Sequence, residues 1–121
     1  MPDTRNILVI DDDELTLTVL RGILQEEGYC VLSTTDGPHG IEVFKQRKPI
    51  LTLLDLGLSG MGGLEVLRRI RSLDQAAKVI VISGFATEEA TEVALGYGAL
   101  AVLQKPIEVD SLLAHLKSAV E

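Results

Sequence analysis

The sequence predicts an α/β domain: a doubly wound (βα)5 fold with a five-stranded parallel sheet in the order 2-1-3-4-5. Three observations lead there. Short apolar runs recur along the chain at 6–10, 29–34, 50–55, 78–83 and 100–104, and most are nearly continuous rather than alternating. That is how strands read when helices cover both faces of a sheet. Between the runs the apolar residues change to helical spacing, and the connections are short. Strands alternating with helices in this way build a parallel sheet with right-handed crossovers.

The elements follow in order. "NILVI" (6–10) is the first strand, and 14–27 places Leu17, Leu20, Ile23 and Leu24 on one helical face before Gly28 ends the helix. "YCVLST" (29–34) is the second strand. In 38–47, Ile41 and Phe44 fall together, Pro38 suits a first turn and Pro49 stops continuation. "ILTLLD" (50–55) is the third strand, and 63–72 turns Leu64, Leu67 and Ile70 inward with Arg68, Arg69 and Arg71 on a solvated face. "KVIVIS" (78–83) is the fourth. Thr87 is a good N-cap for 87–96, with Glu88 and Glu89 in the positive first turn. "LAVLQ" (100–104) is the weakest strand, and 109–120 closes the chain with Leu112, Leu113, Leu116 and Val120.

Composition bounds the function. With 121 residues, 46% of them apolar, the chain is expected to be one domain, 1–121, able to bury a core without disulfides or metal staples. Aromatics are few, so that core is aliphatic. A net charge of −7 argues against broad nucleic-acid binding, which needs a basic face. The single cysteine, Cys30, is expected to be inert core. No apolar run approaches the 18 residues of a membrane span, and "MPDTR" leads into the first strand without a signal sequence, so the domain is expected to be cytoplasmic. The chain stops after the fifth helix, which leaves no room within it for an output domain.

In an open α/β sheet, ligands bind beyond the carboxyl ends of the strands, where strand order reverses. Here strand 1 runs into Asp11, Asp12 and Asp13, strand 3 ends on Asp55, strand 4 ends on Ser83, and Lys105-Pro106 follows strand 5. Taken singly, each has an ordinary reading: Asp13 caps a helix, Ser83 belongs to a turn, Lys105 is a solvated lysine. Together they place carboxylates, a hydroxyl and an ammonium on one edge. Clustered carboxylates repel one another. A hard divalent cation, Mg²⁺ or Mn²⁺, with oxygen ligands relieves that repulsion, and a phosphoryl group completes such a site.

These residues resemble the receiver domains of two-component response regulators, the CheY-like family with its flavodoxin-like fold. The resemblance rests on "VIDDDE", "LLDLGLSGMGGLEVL", "VIVISGFA" and "LQKPI", in that order and at this spacing, and it covers essentially the whole chain. It implies that Asp55 is the phospho-acceptor, taking a phosphoryl group from a histidine of a kinase or phosphotransfer domain. It implies Mg²⁺ held by Asp11, Asp12, Asp55 and the Gly57 carbonyl, and Ser83 and Lys105 contacting the phosphoryl group. Pro106 then fixes its loop through a cis peptide bond. The resemblance further implies that the domain catalyses only its own phosphorylation and dephosphorylation, and that a conformational switch controls a downstream output domain or protein. Two departures stand out: Leu58-Ser59 replaces the usual Met-Pro pair, and Val102 stands where a switching aromatic often lies, so the switch falls to Ser83 and the loop after strand 4.

Leu15, Val19, Phe85 and Pro106 form the expected docking rim for a kinase or phosphotransfer helix, and the face of helix 4, strand 5 and helix 5 is an expected homodimer surface. His39 and His115 lie amid polar neighbours and read as surface residues. The rival reading is a haloacid-dehalogenase-like Mg-dependent phosphatase with Asp11 as nucleophile, since "VIDDDEL" approximates its strand-1 pattern. Against it, the late acidic metal motif and a cap are missing. A phosphorylation-independent module of the same fold conflicts with the intact Asp12, Asp55, Ser83 and Lys105 set. A flavodoxin conflicts with the acids after strand 1.

Overall fold

The computed structural model describes residues 5–84 and 86–120. Five strands, β1 (Asn6–Ile10), β2 (Cys30–Thr34), β3 (Leu51–Asp55), β4 (Val79–Ser83) and β5 (Ala101–Gln104), alternate with five helices. These are α1 (Glu14–Glu26), α2 (Gly37–Arg47), α3 (Gly63–Leu73), α4 (Glu88–Gly96) and α5 (Val109–Val120). The sheet is parallel throughout, in the order β2-β1-β3-β4-β5. Boundaries differ from the sequence expectation by about a residue, the usual uncertainty of frayed ends.

Alternation along the strands divides the core into two layers. Ile7, Val9, Leu51, Leu53, Ile80 and Ile82 face α1 and α5, where Leu17, Leu20, Leu24, Leu112 and Leu116 meet them. Leu8, Ile10, Leu54, Val79 and Val81 face the other way, against Ile41 and Phe44 of α2, Val66, Leu67 and Ile70 of α3, and Ala94 of α4. Burial on both faces is why β1, β3 and β4 tolerate no polar alternation. Each is buried along its whole length.

Local signals set the helix ends. The Asp13 side chain accepts a hydrogen bond from the Leu15 amide, Asp36 from the His39 amide and Thr87 from the Ala90 amide, each relieving an orphan donor of a first turn. Asp13 therefore is the helix cap, and Thr16 Oγ1 also donates to it at 2.7 Å. Gly28 adopts φ 92° just past α1, the left-handed stop that glycine allows.

Three expectations need correction. Cys30 is exposed rather than core: it opens an edge strand, paired on one side only, to β1. β5 is half-buried rather than sandwiched, because it is the other edge of the sheet. Arg71 is not merely solvated. Its guanidinium donates to the Ala77 carbonyl at 3.0 Å and to the Tyr97 carbonyl at 3.2 Å, tying α3 to the segment before β4 and to the C-terminal end of α4. Arg68 and Arg69 are exposed as expected, and so are His39 and His115. Among the described residues no helix is long and apolar enough to cross a membrane.

Candidate functional site

The carboxyl ends of the three central strands meet the loop after β5 at one edge of the sheet. β1 and β3 are neighbours there, and the connections from β1 and β3 leave in different directions. The backbone thus carries Asp11 and Asp12 over one side of a crevice and Asp55 over the other. One oxygen from each of Asp11, Asp12 and Asp55 lies within 4.8 Å of the others. Asp11 and Asp55 are buried, while Asp12 is exposed.

Nearby donors hold these acids. The Asp13 amide donates to Asp11 Oδ1 at 2.9 Å, and the Gly57 amide donates to Asp55 Oδ1 at 3.1 Å. Ser59 donates to Asp12 Oδ2 twice, from its amide and from its hydroxyl, both at 3.2 Å. Lys105 reaches in from the loop after β5, with Nζ 2.9 Å from Asp11 Oδ2 and 3.6 Å from Asp55 Oδ2. The Lys105 amide bonds the Ser83 carbonyl at 2.9 Å, which ties this loop to the end of β4. The Lys105-Pro106 peptide is cis, as expected.

The electrostatics follow from crowding. Burial pushes the Asp11 carboxyl above its ordinary value of 3.8, and the negative charge of Asp55 adds to the rise, against the pull of the Asp13 amide and of Lys105. Burial acts to lower Lys105. The hydrogen bond to Asp11 and the charges of Asp11, Asp55 and Asp13 outweigh it, so the ammonium titrates above its ordinary 10.5. One cation thus serves two or three anions, and the excess negative charge marks a place for a second positive group. The donor set is all hard oxygen, which suits Mg²⁺ or Mn²⁺ and not a soft metal.

A cavity of about 580 Å³ opens beside Asp55, lined among others by Gly57, Gly63, Ser83, Thr87 and Lys105. Ser83 is buried at its wall. Gly63 explains how α3 begins so close to the acid. A Cβ there would overlap the Asp55 carbonyl oxygen and the Leu56 Cα, so only glycine lets the helix start against the strand end. Of the expected site residues, the structure brings Asp11, Asp12, Asp55 and Lys105 together, with Ser83 and Gly57 on the cavity wall. Val102 is half-buried in β5, beside Val81 and packed in the α2–α3–α4 layer. Of the residues expected to form the docking rim, Leu15 is 71% and Val19 46% exposed on α1, and Pro106 is exposed. Phe85 lies outside the described residues. On the α4–β5 side, Val93, Leu95, Tyr97 and Leu100 are exposed.

Sequence reasoning missed Ser59, whose bonds to Asp12 span 47 positions of chain. It also missed the place of Thr87 on the cavity wall. The missing proline had singled out Ser59 in the sequence but not its bond to Asp12, and the place of Thr87 was hidden behind its capping role.

Comparison with known proteins gives a consistent result. The family model for the response regulator receiver domain matches residues 7–117. The chain is 34% identical over 118 residues to the transcriptional regulatory protein ZraR of Escherichia coli O157:H7, covering 98% of this chain and 27% of that protein. The chain thus spans about a quarter of the length of this relative. A CheY-like receiver domain protein from Methanospirillum hungatei superposes with a TM-score of 0.92 at 31% identity, covering 96% of this chain and 93% of that one. The CheX-CheY-BeF3-Mg²⁺ complex from Borrelia burgdorferi matches with a TM-score of 0.90 at 28% identity, over 96% and 89% of the two chains.

Proposed function

This chain belongs to the response regulator receiver domain family, and from that premise we propose that Asp55 is the residue that accepts the phosphoryl group. Receivers are phosphoacceptor modules of two-component signalling, and nothing in the comparisons favours the phosphatase alternative. The observation that carries the assignment is the convergence of three carboxylates and Lys105 around one oxygen-lined crevice. Within it, Asp55 lines the cavity, and Lys105 lies closer to Asp11, at 2.9 Å, than to Asp55, at 3.6 Å.

The donor is a phosphohistidine on a kinase or phosphotransfer partner. An Asp55 oxygen attacks phosphorus, the P–N bond breaks as the new P–O bond forms, and the leaving imidazole takes up a proton. Asp11, Asp12, Asp55 and the Gly57 carbonyl would hold Mg²⁺, which supplies charge neutralisation for a phosphoryl group among acids. Lys105 supplies the second cation. It swings from Asp11 toward the incoming phosphoryl oxygens, a short move given its 3.6 Å distance from Asp55. Ser83 hydrogen-bonds the same group from the end of β4. Because the Ser83 carbonyl holds the Lys105 amide, its movement draws on both β4 and the loop after β5. This biases a two-state packing of α4 and β5 that a downstream output domain or protein reads.

The test is to treat the protein with a small-molecule phosphodonor and, separately, with beryllofluoride in the presence of Mg²⁺. Mass mapping should place the modification on Asp55, and Asp55→Asn should abolish it while Asp11→Asn leaves the acceptor in place. Modification of Asp11 would instead support the phosphatase chemistry. NMR changes confined to the Asp55 pocket would overturn the switch.

A further inference from the structure

We propose that Ser59 is a positioning residue for the cation: its two hydrogen bonds hold the exposed Asp12 carboxylate in the geometry that Mg²⁺ requires. The inference rests on the reading of Asp11, Asp12 and Asp55 as the cation site, and it concerns a residue outside that ligand set.

Asp11 and Asp55 are buried and each takes a bond from a backbone amide two residues on, so their own loops orient them. Asp12 differs. It is exposed at the start of the β1–α1 connection, and a solvated carboxylate has rotamers that point away from the crevice. What restrains it comes from the other side of the crevice. The Ser59 amide and hydroxyl, in the loop between β3 and α3, both donate to Asp12 Oδ2 at 3.2 Å. Both bonds converge on one oxygen, so Ser59 leaves Oδ1 unused. The contact joins the two loops that flank the switch point, 47 positions apart in the chain.

Hydrogen bonds to a charged acceptor are stronger than neutral ones, and partners that orient metal ligands tune affinity. Ordering Asp12 before the cation arrives removes part of the entropic cost of binding. By linkage, the cation must in turn stabilise the Ser59–Asp12 contact. Nothing in this requires a special backbone conformation at Ser59. It requires only a donor hydroxyl and an N–H, and both are lost together if the residue is proline.

The experiment measures Mg²⁺ affinity of the unphosphorylated protein by calorimetry, for the wild type and for Ser59→Ala, Ser59→Thr, Ser59→Pro and Asp12→Asn. Ser59→Ala should bind about 10-fold more weakly and Ser59→Pro, which loses both donors, up to about 100-fold more weakly. Ser59→Thr keeps hydroxyl and amide and should restore binding to within about two-fold. Thermal melts without Mg²⁺ should leave Ser59→Ala at the wild-type midpoint, which a merely structural role would not. Exchange of the Ser59 amide should slow when Mg²⁺ is added to the wild type. Wild-type affinity in Ser59→Ala, with Asp12→Asn binding poorly, overturns the role of Ser59 and leaves the cation site standing. Equal Mg²⁺ binding by the wild type and Asp12→Asn overturns the cation site, and Ser59 with it.

Discussion

At Glu65, in the first turn of α3, two guanidinium groups meet one carboxylate. Arg68 binds it in a fork, with bonds of 3.0 and 2.7 Å, and Arg69 adds a third at 2.9 Å. The hydrogen bonds from Arg68, then those from Arg69, hold the Glu65 carboxyl at about 2, well below its ordinary 4.5. Because the folded value is depressed, the stabilisation is complete above 4.5 and is lost as the pH falls through about 2. A carbon-detected NMR titration should therefore find Glu65 still ionised at pH 3, and Arg68→Ala should raise its midpoint toward 4.5. The cluster lies on the surface, so salt should weaken the effect. The same residue scale shows what a sequence discloses. Asp12, Asp55, Ser83 and Lys105 were legible because a parallel sheet fixes where its strand ends converge. Ser59 was not, since its partner is chosen by the folded path of a distant loop. Arg71 looked like any arginine of a polar helix face until the carbonyls of Ala77 and Tyr97 lay within reach.

Among the elements, α3 and α1 carry opposite kinds of contact. α3 is fastened at both ends. Gly63 starts it against the backbone of Asp55 and Leu56, and Arg71 closes it onto the segments before β4 and after α4. Removing the guanidinium leaves the Ala77 and Tyr97 carbonyls to water, so Arg71→Ala should cost about 1–2 kcal/mol in urea denaturation. α1 packs through its buried stripe, adds a hydrogen bond from the Arg21 guanidinium to the Ser33 hydroxyl of β2, and keeps Leu15 and Val19 exposed near the site. If a partner helix docks there, Val19→Glu should slow transfer from a phosphohistidine donor several-fold and leave phosphorylation by a small-molecule donor unchanged. Equal slowing of both reactions would refute docking at that face. Elements were the most legible scale, because continuous apolar runs and helical spacing exclude each other. β5 and Cys30 were misjudged because edge position is a property of the assembled sheet.

Across the molecule the balance of charge sets a condition for the fold. A net charge of −7 includes acids concentrated at one edge, where Lys105 neutralises only part of them. If that edge holds Mg²⁺ as proposed, the native state should gain stability from the ion. At a concentration about 100 times the dissociation constant the gain is about 2.7 kcal/mol, enough to raise the melting midpoint on the order of 10 °C for a domain of this size. Chelation should reverse the shift, and Asp12→Asn should not show it. The sheet adds a further consequence. Its two hydrophobic layers share no side chains, because each strand residue belongs to one layer or the other. The sheet acts as a bulkhead between two compartments, and side-chain repacking in one reaches the other only through the strand backbones. Substitutions that repack the layer under α1 should therefore leave the side chains under α4 in place, and the reverse. If one partner docks on α1 and another reads α4, each contact can be altered by substitution without disturbing the other or the acidic edge between them.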